Sequence, residues 1–220
     1  AAYSNEGAVY DSVDNYFSDF TVNPVVEDKF SFTFPTKQWK ELSEQGVSFG
    51  YGIEFTIISA TVPRVIRVAF VEPGSDAEAA GVRRGDQITA VGSFDINNAT
   101  QAGVDAINAA VFPSAAGNYQ FTFSRAGTNL TPVSLLAGNV VSTPVPLASV
   151  RTINGSKIGY MVFNDHIRTA EQQLVNGFNT FAAQGVNDVV LDLRYNRGGF
   201  LFLASQVAYM VTGAAQTNNK

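Results

Sequence analysis

The clearest hydrophobic pattern of the chain lies near its C-terminus. Residues 189–193 are almost continuously apolar and predict a buried strand, and the apolar run over residues 200–211 predicts a helix. Between them stands a polar turn that ends in Gly198 and Gly199. A helix N-terminus has unpaired backbone N–H groups that can hold a negative charge, and paired glycines let a ligand approach the main chain closely. The pattern therefore predicts an anion-holding turn.

The segment before this turn repeats the strand pattern. Residues 157–164 predict a strand, residues 169–183 predict a helix with an apolar side, and Gly185 ends that helix before residues 188–193. Two nearly continuous apolar strands that flank a helix indicate a parallel pair with a right-handed crossover. The turn then lies at the carboxyl end of the second strand, where open α/β sheets place their ligands.

The middle of the chain, residues 48–138, has the alternation typical of antiparallel strands. Strands are predicted over residues 51–58 and 65–71, followed by a short helix capped by Ser75 or Asp76 and ended by Gly81. A helix over residues 99–111, with Val104, Ile107 and Val111 on one stripe, precedes strands near residues 119–123 and 131–136.

The first 47 residues predict a helical opening and a short helix over residues 37–42, capped by Thr36 and ended by Gly46. The regularly spaced aromatic residues of this segment are expected to form core rather than a binding surface. They are Phe30, Phe32, Phe34 and Trp39. The chain is thus predicted to be a multidomain α+β protein: a helical lead-in or linker (residues 1–47), a β domain (48–138) and the start of an α/β domain (139–220).

Composition narrows the classes of function. The chain of 220 residues is 45% hydrophobic and 15% charged, which allows a substantial core. A formal charge of −5 and the lack of a basic cluster argue against nucleic acid as a partner. The absence of cysteine excludes disulfides and thiolate metal sites and is compatible with an oxidising compartment. No membrane-spanning run, metal site or cofactor is predicted, and the sequence leaves the oligomeric state open.

The run Pro73-Gly74-Ser75, continued by Ala79-Ala80-Gly81-Val82 and Arg84-Gly85-Asp86-Gln87-Ile88, resembles a PDZ domain of the kind found in bacterial proteases. The resemblance implies that amides around Tyr51, Gly52 and Ile53 bind the terminal carboxylate of a peptide. The strand that includes Glu54 and Phe55 would pair with the peptide backbone, and the helix that includes Val104 and Ile107 would form the other wall. The alternative is a purely structural β domain whose glycines only form turns.

Behind this domain, the run Leu191-Asp192-Leu193-Arg194-Tyr195-Asn196-Arg197-Gly198-Gly199 resembles the tail-specific, or carboxyl-terminal processing, serine proteases of peptidase family S41. The resemblance implies a ClpP/crotonase-like catalytic domain, an oxyanion site at Gly198 and Gly199, and polypeptide substrates with free C-termini. It also implies a serine nucleophile and a lysine base that follow this turn further along the sequence, so the 220 residues alone are expected to be inactive. An extracytoplasmic location is implied, in the bacterial periplasm or cell envelope, where lipoproteins also occur. Arg197 departs from the family pattern, in which proline or glycine is usual.

The sequence leaves two further functions open. The family includes members without peptidase chemistry, so a non-catalytic peptide-binding protein is the second hypothesis. The third is a hydrolase, because Gly46-Val47-Ser48-Phe49-Gly50 matches a nucleophile motif and Asp165 and His166 follow it, although that motif needs a strand before the serine and a helix after it.

Individual polar residues near the turn are assigned roles as well. His166, the only histidine, is expected to be a satisfied polar residue, and Ser205 is assigned to packing in a buried helix. Asp192 and Arg194 are expected to fix the turn, and Arg197 is the candidate for touching a peptide.

Overall fold

The computed structural model describes residues 12–22, 27–28 and 31–213, and its contacts divide the chain into two units, Ala1–Trp39 and Lys40–Lys220. In the first unit, α1 (Val13–Ser18) begins at Ser12, whose Oγ accepts the N–H of Asn15 at 3.1 Å. The helix α2 (Thr36–Gln45) runs across the boundary between the units, and Gly46 ends it at φ +70°. The predicted second helix is confirmed, although it begins at Thr36 rather than after it.

The aromatic residues of the first unit are not core, so that prediction is wrong. Phe32 is 68% exposed, and Phe34 and Trp39 are also exposed; Phe30 lies outside the described residues. The segment before α2, residues 31–35, is neither helix nor strand, and its aromatic rings pack edge to face on one another and on Trp39 instead. The ring centroids of Phe32 and Phe34 are 6.4 Å apart, and those of Phe34 and Trp39 are 6.1 Å apart.

Eight strands of the second unit form one antiparallel sheet, here called the large sheet. The order is β1-β8-β6-β4-β3-β2, with β5 paired to β4 and β7 paired to β6. Its strands are β1 (Val47–Gly50), β2 (Ile53–Ser59), β3 (Val65–Val71), β4 (Gln87–Val91), β5 (Phe94–Asp95), β6 (Gly117–Arg125), β7 (Thr128–Asn129) and β8 (Val133–Val141). The helices α3 (Asp76–Ala79) and α4 (Gln101–Val111) belong to the same region.

The large sheet encloses an apolar core. Fully buried members include Ile88, Phe121 and Leu135, and Ile107 of α4 packs with them. The strand β2 lies at the end of the strand order, so one of its two edges has no neighbouring strand among the described residues. Its other edge pairs with β3 from Ile53↔Val71 to Ser59↔Val65.

A second sheet of three strands, here called the small sheet, follows in the order β11-β10-β9. It consists of β9 (Leu147–Ile153), β10 (Ser156–Val162) and β11 (Asp188–Asp192), with α5 (Ala170–Ala183) between the last two. The strands β10 and β11 are parallel, in register from Ile158↔Asp188 to Val162↔Asp192, which confirms the predicted strand-helix-strand unit. The strand β9 was not predicted. The mixed α+β class is confirmed.

The last described helix, α6 (Leu201–Thr212), buries only one side. Leu203 and Val207 pack into the core of the small sheet with Met161 and Phe163. Leu201, in contrast, is 84% exposed, and Ser205 is exposed as well. The prediction of a buried helix is therefore wrong for this face, and the packing role assigned to Ser205 is wrong with it.

Candidate peptide-binding groove and glycine turn

A groove lies between the open strand β2 and the helix α4. It contains a small cavity of about 60 Å³ whose lining includes Ile57 from β2 together with Val104 and Ile107 from α4. Val104 is half-buried, whereas Ile107 is buried in the core of the large sheet. Ile53 and Phe55 of the same strand also pack against that core. The groove thus has apolar walls beside a strand edge that can accept another strand.

The turn before β2 is anchored to the end of α4 by Tyr51. The Tyr51 ring is buried, and its hydroxyl donates to the backbone oxygen of Ala110 at 2.9 Å, so the turn is fixed to the end of α4. Burial raises the pKa of Tyr51 well above its usual range. The backbone oxygen of Gly52 accepts the N–H of Glu72 at 2.7 Å, and the N–H of Gly52 has no acceptor in the described part of the chain.

Glycine is required at position 52. Its φ is +80°, and an added Cβ would lie 2.2 Å from the Cβ of Ser75. A side chain there is therefore excluded both by the backbone conformation and by space. The turn keeps a backbone donor at the entrance of the groove.

The glycine turn, residues 192–199, follows β11 and leads into α6. Its centre is held by Asn196, whose Oδ1 accepts the N–H of Gly198 at 2.8 Å and whose Nδ2 donates to the backbone oxygen of Phe163 at 2.9 Å. The N–H of Gly198 is therefore occupied, whereas the N–H of Gly199 has no acceptor among the described residues. Of the two predicted oxyanion donors, only the N–H of Gly199 is available to a ligand among the described residues in this conformation.

His166 lies directly against the glycine turn. The backbone N–H of His166 donates to the backbone oxygen of Gly198 at 2.9 Å, and its backbone oxygen accepts the N–H of Phe200 at 2.8 Å. The ring Nδ1 is 2.9 Å from Oδ1 of Asn196, so the histidine is a satisfied polar residue, as predicted. Sequence reasoning missed its place beside the turn. The signal that was available is its position after β10, because parallel neighbouring strands end at the same edge of a sheet.

The start of α6 adds further donors. Phe200 is the N-cap residue and offers no side-chain oxygen to the first turn. The N–H of Phe200 donates to His166, and that of Leu203 donates to the backbone oxygen of Phe200. The N–H groups of Leu201 and Phe202 have no acceptor among the described residues, and the helix dipole favours a negative one there. The position fits the predicted anion-holding turn.

Asp192 and Arg194 stabilise the beginning of the glycine turn. Arg194 Nε donates to Oδ1 of Asp192 at 2.9 Å, and the Tyr160 hydroxyl donates to Oδ2 of the same carboxylate at 2.6 Å. The bonds from Arg194, and then that from Tyr160, hold the pKa of Asp192 well below its usual range. The predicted structural role of this pair is confirmed.

Arg197 joins the glycine turn to the large sheet. Its Nε and Nη2 donate to the two oxygens of Asp165, at 3.2 and 2.8 Å, and its Nη1 donates to Oε2 of Glu54 at 3.1 Å. Asp165 is buried, whereas the Arg197 side chain is 49% exposed. Burial opposes the charge of Arg197, but the bonds to Asp165 outweigh it and raise the pKa of the guanidinium.

Tyr195 makes a second contact with the large sheet. Its ring centroid lies 6.0 Å from that of Phe70 on β3, and the guanidinium of Arg84 lies 5.0 Å from the Tyr195 centroid. Phe70 is the direct partner of Glu54 in the β2–β3 register. Residues 195 and 197 of the turn thus contact two paired residues of the large sheet.

The hydrolase hypothesis fails on local structure. Ser48 lies inside the strand β1, paired with Val140, and the helix α2 precedes it. A nucleophile motif needs a strand before the serine and a helix after it. Asp165 is already engaged by Arg197, so it does not orient a histidine for Ser48.

The described residues contain neither a metal-binding cluster nor a membrane-spanning helix. Within residues 12–22, 27–28 and 31–213, no three histidine, cysteine or acidic side chains are grouped as a metal site would need. Over the same ranges, no helix has the length and apolar character needed to cross a membrane.

The parallel strand pair, the glycine turn and the helix behind it lie in the part of the chain that matches a known family. The family model of peptidase family S41 matches residues 157–219, the stretch that holds these elements. The similarity to this family thus lies in the C-terminal part of the chain. The chain is also 25% identical, over 186 residues, to a carboxyl-terminal-processing protease of Picosynechococcus sp.; the alignment covers 84% of this chain and 44% of that protein.

Two more proteins share this similarity. The chloroplastic C-terminal processing peptidase of Tetradesmus obliquus is 29% identical over 179 residues, which cover 74% of this chain and 36% of the peptidase. A Bacteroides fragilis protein assigned as an S41 protease has the same fold, with a TM-score of 0.54 and 23% identity over 90% of this chain and 56% of that structure. The chain spans less than half the length of the two processing enzymes it matches.

Proposed function

We propose that this chain is the substrate-recognition and oxyanion part of a serine endopeptidase that acts on the C-terminal ends of proteins. The observation that carries the proposal is the open edge of β2, which borders an apolar groove and begins at the unpaired amide of Gly52. A peptide that adds to this edge gains main-chain hydrogen bonds, and its terminal carboxylate reaches the amide donor.

The cleavage step follows from the resemblance to the S41 family. A serine would attack the peptide carbonyl while a neutral lysine accepts the serine proton, and the negative charge that forms on the carbonyl oxygen would be held by the amide of Gly199 and the first turn of α6. Both reacting side chains would come from sequence beyond the glycine turn. We therefore expect no peptidase activity from the 220 residues by themselves.

The domain division belongs to the same proposal. Residues 48–138 would form the PDZ domain that captures the substrate, residues 139–220 would begin the catalytic domain, and residues 1–47 would be a helical segment or linker. We place the whole enzyme outside the cytoplasm, in the periplasm or cell envelope. The similarity to processing proteases and the use of no cysteine support that location.

A second candidate is a peptide-binding protein without catalysis. It is favoured by one observation, namely that the N–H of Gly198 is occupied by Asn196 rather than free for an oxyanion. Complete S41 protease sites would need this bond to open or would rely on Gly199 alone. Activity of the whole protein on a peptide, and its loss when the serine nucleophile is replaced, would decide between the two.

Recognition is tested on this chain directly. A fluorescent peptide with a free C-terminus and an apolar last residue is titrated against the same peptide with an amidated C-terminus. We expect the amide to bind at least about tenfold more weakly, because it loses a charge-assisted hydrogen bond. Equal affinity of the two peptides would contradict the binding of the terminal carboxylate by the turn of residues 51–53.

The position of the groove is tested by Val104→Glu. Val104 is half-buried in the wall, so the variant should fold, but its carboxylate would cross the path of an apolar peptide side chain. We expect peptide affinity to fall about tenfold or more. The matched control is Ala109→Glu on an exposed position of the same helix, which should bind as the unchanged protein does.

A further inference from the structure

The face of β2 that points away from the groove holds a cluster of charges. Side chains alternate along a strand, so Ile53, Phe55 and Ile57 share the groove face and Glu54 lies on the opposite one. Glu54 meets the glycine turn there, through Arg197. This second face is not used by the capture of a terminal carboxylate or by the apolar groove.

The cluster contains more negative than positive charge. The groups whose charges act on Glu54 are the guanidinium of Arg197 and the carboxylates of Asp165 and Glu72. With Glu54 itself, this makes three carboxylates around one guanidinium. Burial raises the pKa of Glu54, and the two neighbouring carboxylates raise it further while Arg197 lowers it.

The guanidinium is already in use, whereas one carboxylate is not fully paired. Arg197 directs Nε and Nη2 to Asp165 and Nη1 to Oε2 of Glu54. Glu72 is buried and accepts the N–H of Thr143 at 2.9 Å. Within the described part of the chain, Oε1 of Glu54 has no hydrogen-bond partner, and the side chain is partly exposed. The cluster thus keeps one free acceptor, on Glu54, while three of the five N–H donors of Arg197 are engaged.

The register of an added strand decides which peptide residue meets this cluster. A peptide that pairs antiparallel to β2, with its carboxylate at the turn of residues 51–53, sets its last residue opposite Ile53 and its penultimate residue opposite Glu54. Residues directly opposite each other share a face of the sheet. The last side chain therefore enters the groove, and the penultimate one lies against Glu54 and Arg197.

We propose that Glu54 is a specificity-determining residue that selects substrates with a lysine or arginine at the penultimate position. A cationic side chain there reaches the unpaired oxygen of Glu54 and reduces the excess of negative charge. An acidic one would be placed among three carboxylates whose charge is not balanced by the single guanidinium, which is already bonded to Asp165 and Glu54. The inference rests on the proposed function, since it requires that a peptide C-terminus binds along β2.

The test uses the chain with short peptides that differ only at the penultimate residue, which is lysine, acetyl-lysine or glutamate. Acetyl-lysine keeps the length of lysine without its charge, so this comparison leaves the protein unaltered. We expect lysine to bind about threefold tighter than acetyl-lysine and about tenfold tighter than glutamate, in the range of a partly exposed ion pair and its reversal. The preference should shrink as salt is raised.

The residue is tested by Glu54→Gln, with Glu44→Gln on an exposed position of α2 as the matched control. Glu54→Gln should remove the preference for lysine over acetyl-lysine, and Glu44→Gln should keep it. Equal binding of lysine and acetyl-lysine in the unchanged chain, or tighter binding of glutamate, would overturn the inference. So would an unchanged preference in a folded Glu54→Gln variant.

The amidated lysine peptide separates this inference from the function on which it rests. If it binds as tightly as the free acid, carboxylate capture fails, and the proposed function fails with it. If the free acid is preferred while the penultimate residue has no influence, only the role of Glu54 is lost.

Discussion

The large sheet and the glycine turn each contain an arginine that binds both oxygens of a buried carboxylate. These two forks differ in the parts of the protein that they connect. Arg125 binds both oxygens of Asp86, at 2.7 and 2.8 Å, and also donates to the backbone oxygen of Gly81, so all its partners lie in the region of the large sheet. Arg197 binds both oxygens of Asp165 and then reaches Glu54 on β2. The first fork stabilises one fold from within, and the second connects the groove strand to the turn.

The largest effect is expected for Arg125→Met, which tests the internal fork. Asp86 is fully buried and would keep only the N–H of Arg83 as a partner, at 2.8 Å. An uncompensated buried carboxylate costs about 4 kcal/mol of unfolding free energy. Urea unfolding measures this loss, and Arg67→Met, an exposed arginine on β3, should change stability by less than about 0.5 kcal/mol. A loss of less than about 1 kcal/mol in Arg125→Met would show that this fork contributes little to the free energy of unfolding.

Gly199→Ala comes next and tests the connecting region. Its φ is +135°, and an added Cβ would lie 2.4 Å from the backbone oxygen of His166. Strain and collision with main chain together should cost about 3 kcal/mol. Gly198→Ala is the matched control, because its φ of +79° is strained but its Cβ would meet open space, which predicts about 1 kcal/mol. Similar losses in both variants would contradict the close approach of His166.

Arg197→Met should cost about 2 kcal/mol, because it leaves the buried Asp165 without its fork. Hydrogen exchange should then increase both in the glycine turn and in β2, since the variant also frees Glu54. Arg194→Gln removes the fork from Asp192, which is almost as buried but keeps the Tyr160 hydroxyl as a partner. We expect this variant to cost about 1 kcal/mol and to leave hydrogen exchange in β2 unchanged. Exchange that rises in the turn alone would mean that Arg197 does not connect the two regions.

The smallest effect concerns pH. Burial alone would raise the pKa of Asp86, but the bonds from Arg125 and Arg83 outweigh it and hold the pKa below its ordinary value. Its contribution to stability is therefore complete above about pH 4 and is lost as the pH falls through the lower folded value. Unfolding measured between about pH 5 and pH 2 should show this loss. Asp86→Asn should flatten the profile, and an unchanged profile would assign the acid sensitivity to other groups.

The sequence predicts the fold where hydrophobic periodicity and turn residues agree. The parallel pair of β10 and β11 follows from two apolar strands around one helix, and α3 is capped by Ser75, one of the two residues expected for that position. The exposure of Phe32 and Leu201 could not be read in the same way, because periodicity reports which residues are apolar and not what surrounds them.

The candidate site was predictable only in its backbone parts. Glycines at positions 52 and 199 indicate turns with positive φ, and such a backbone conformation depends only on the local sequence. The bonds of Arg197 to Asp165 and Glu54 join residues 32 and 143 positions apart, and nothing in a single sequence pairs them. The role of Asn196 depends equally on a distant backbone oxygen, that of Phe163.

The open edge of β2 also has a consequence for handling the protein. Its unpaired backbone groups run beside Ile57 and Ile58, which are exposed, and such an edge pairs readily with the same edge of a second molecule. Concentrated stocks should therefore form reversible aggregates through edge-to-edge pairing of β2 between copies. A short peptide that pairs with this edge would compete with aggregation and keep the protein in solution. Light scattering of a concentrated solution is therefore a simple first assay for ligands.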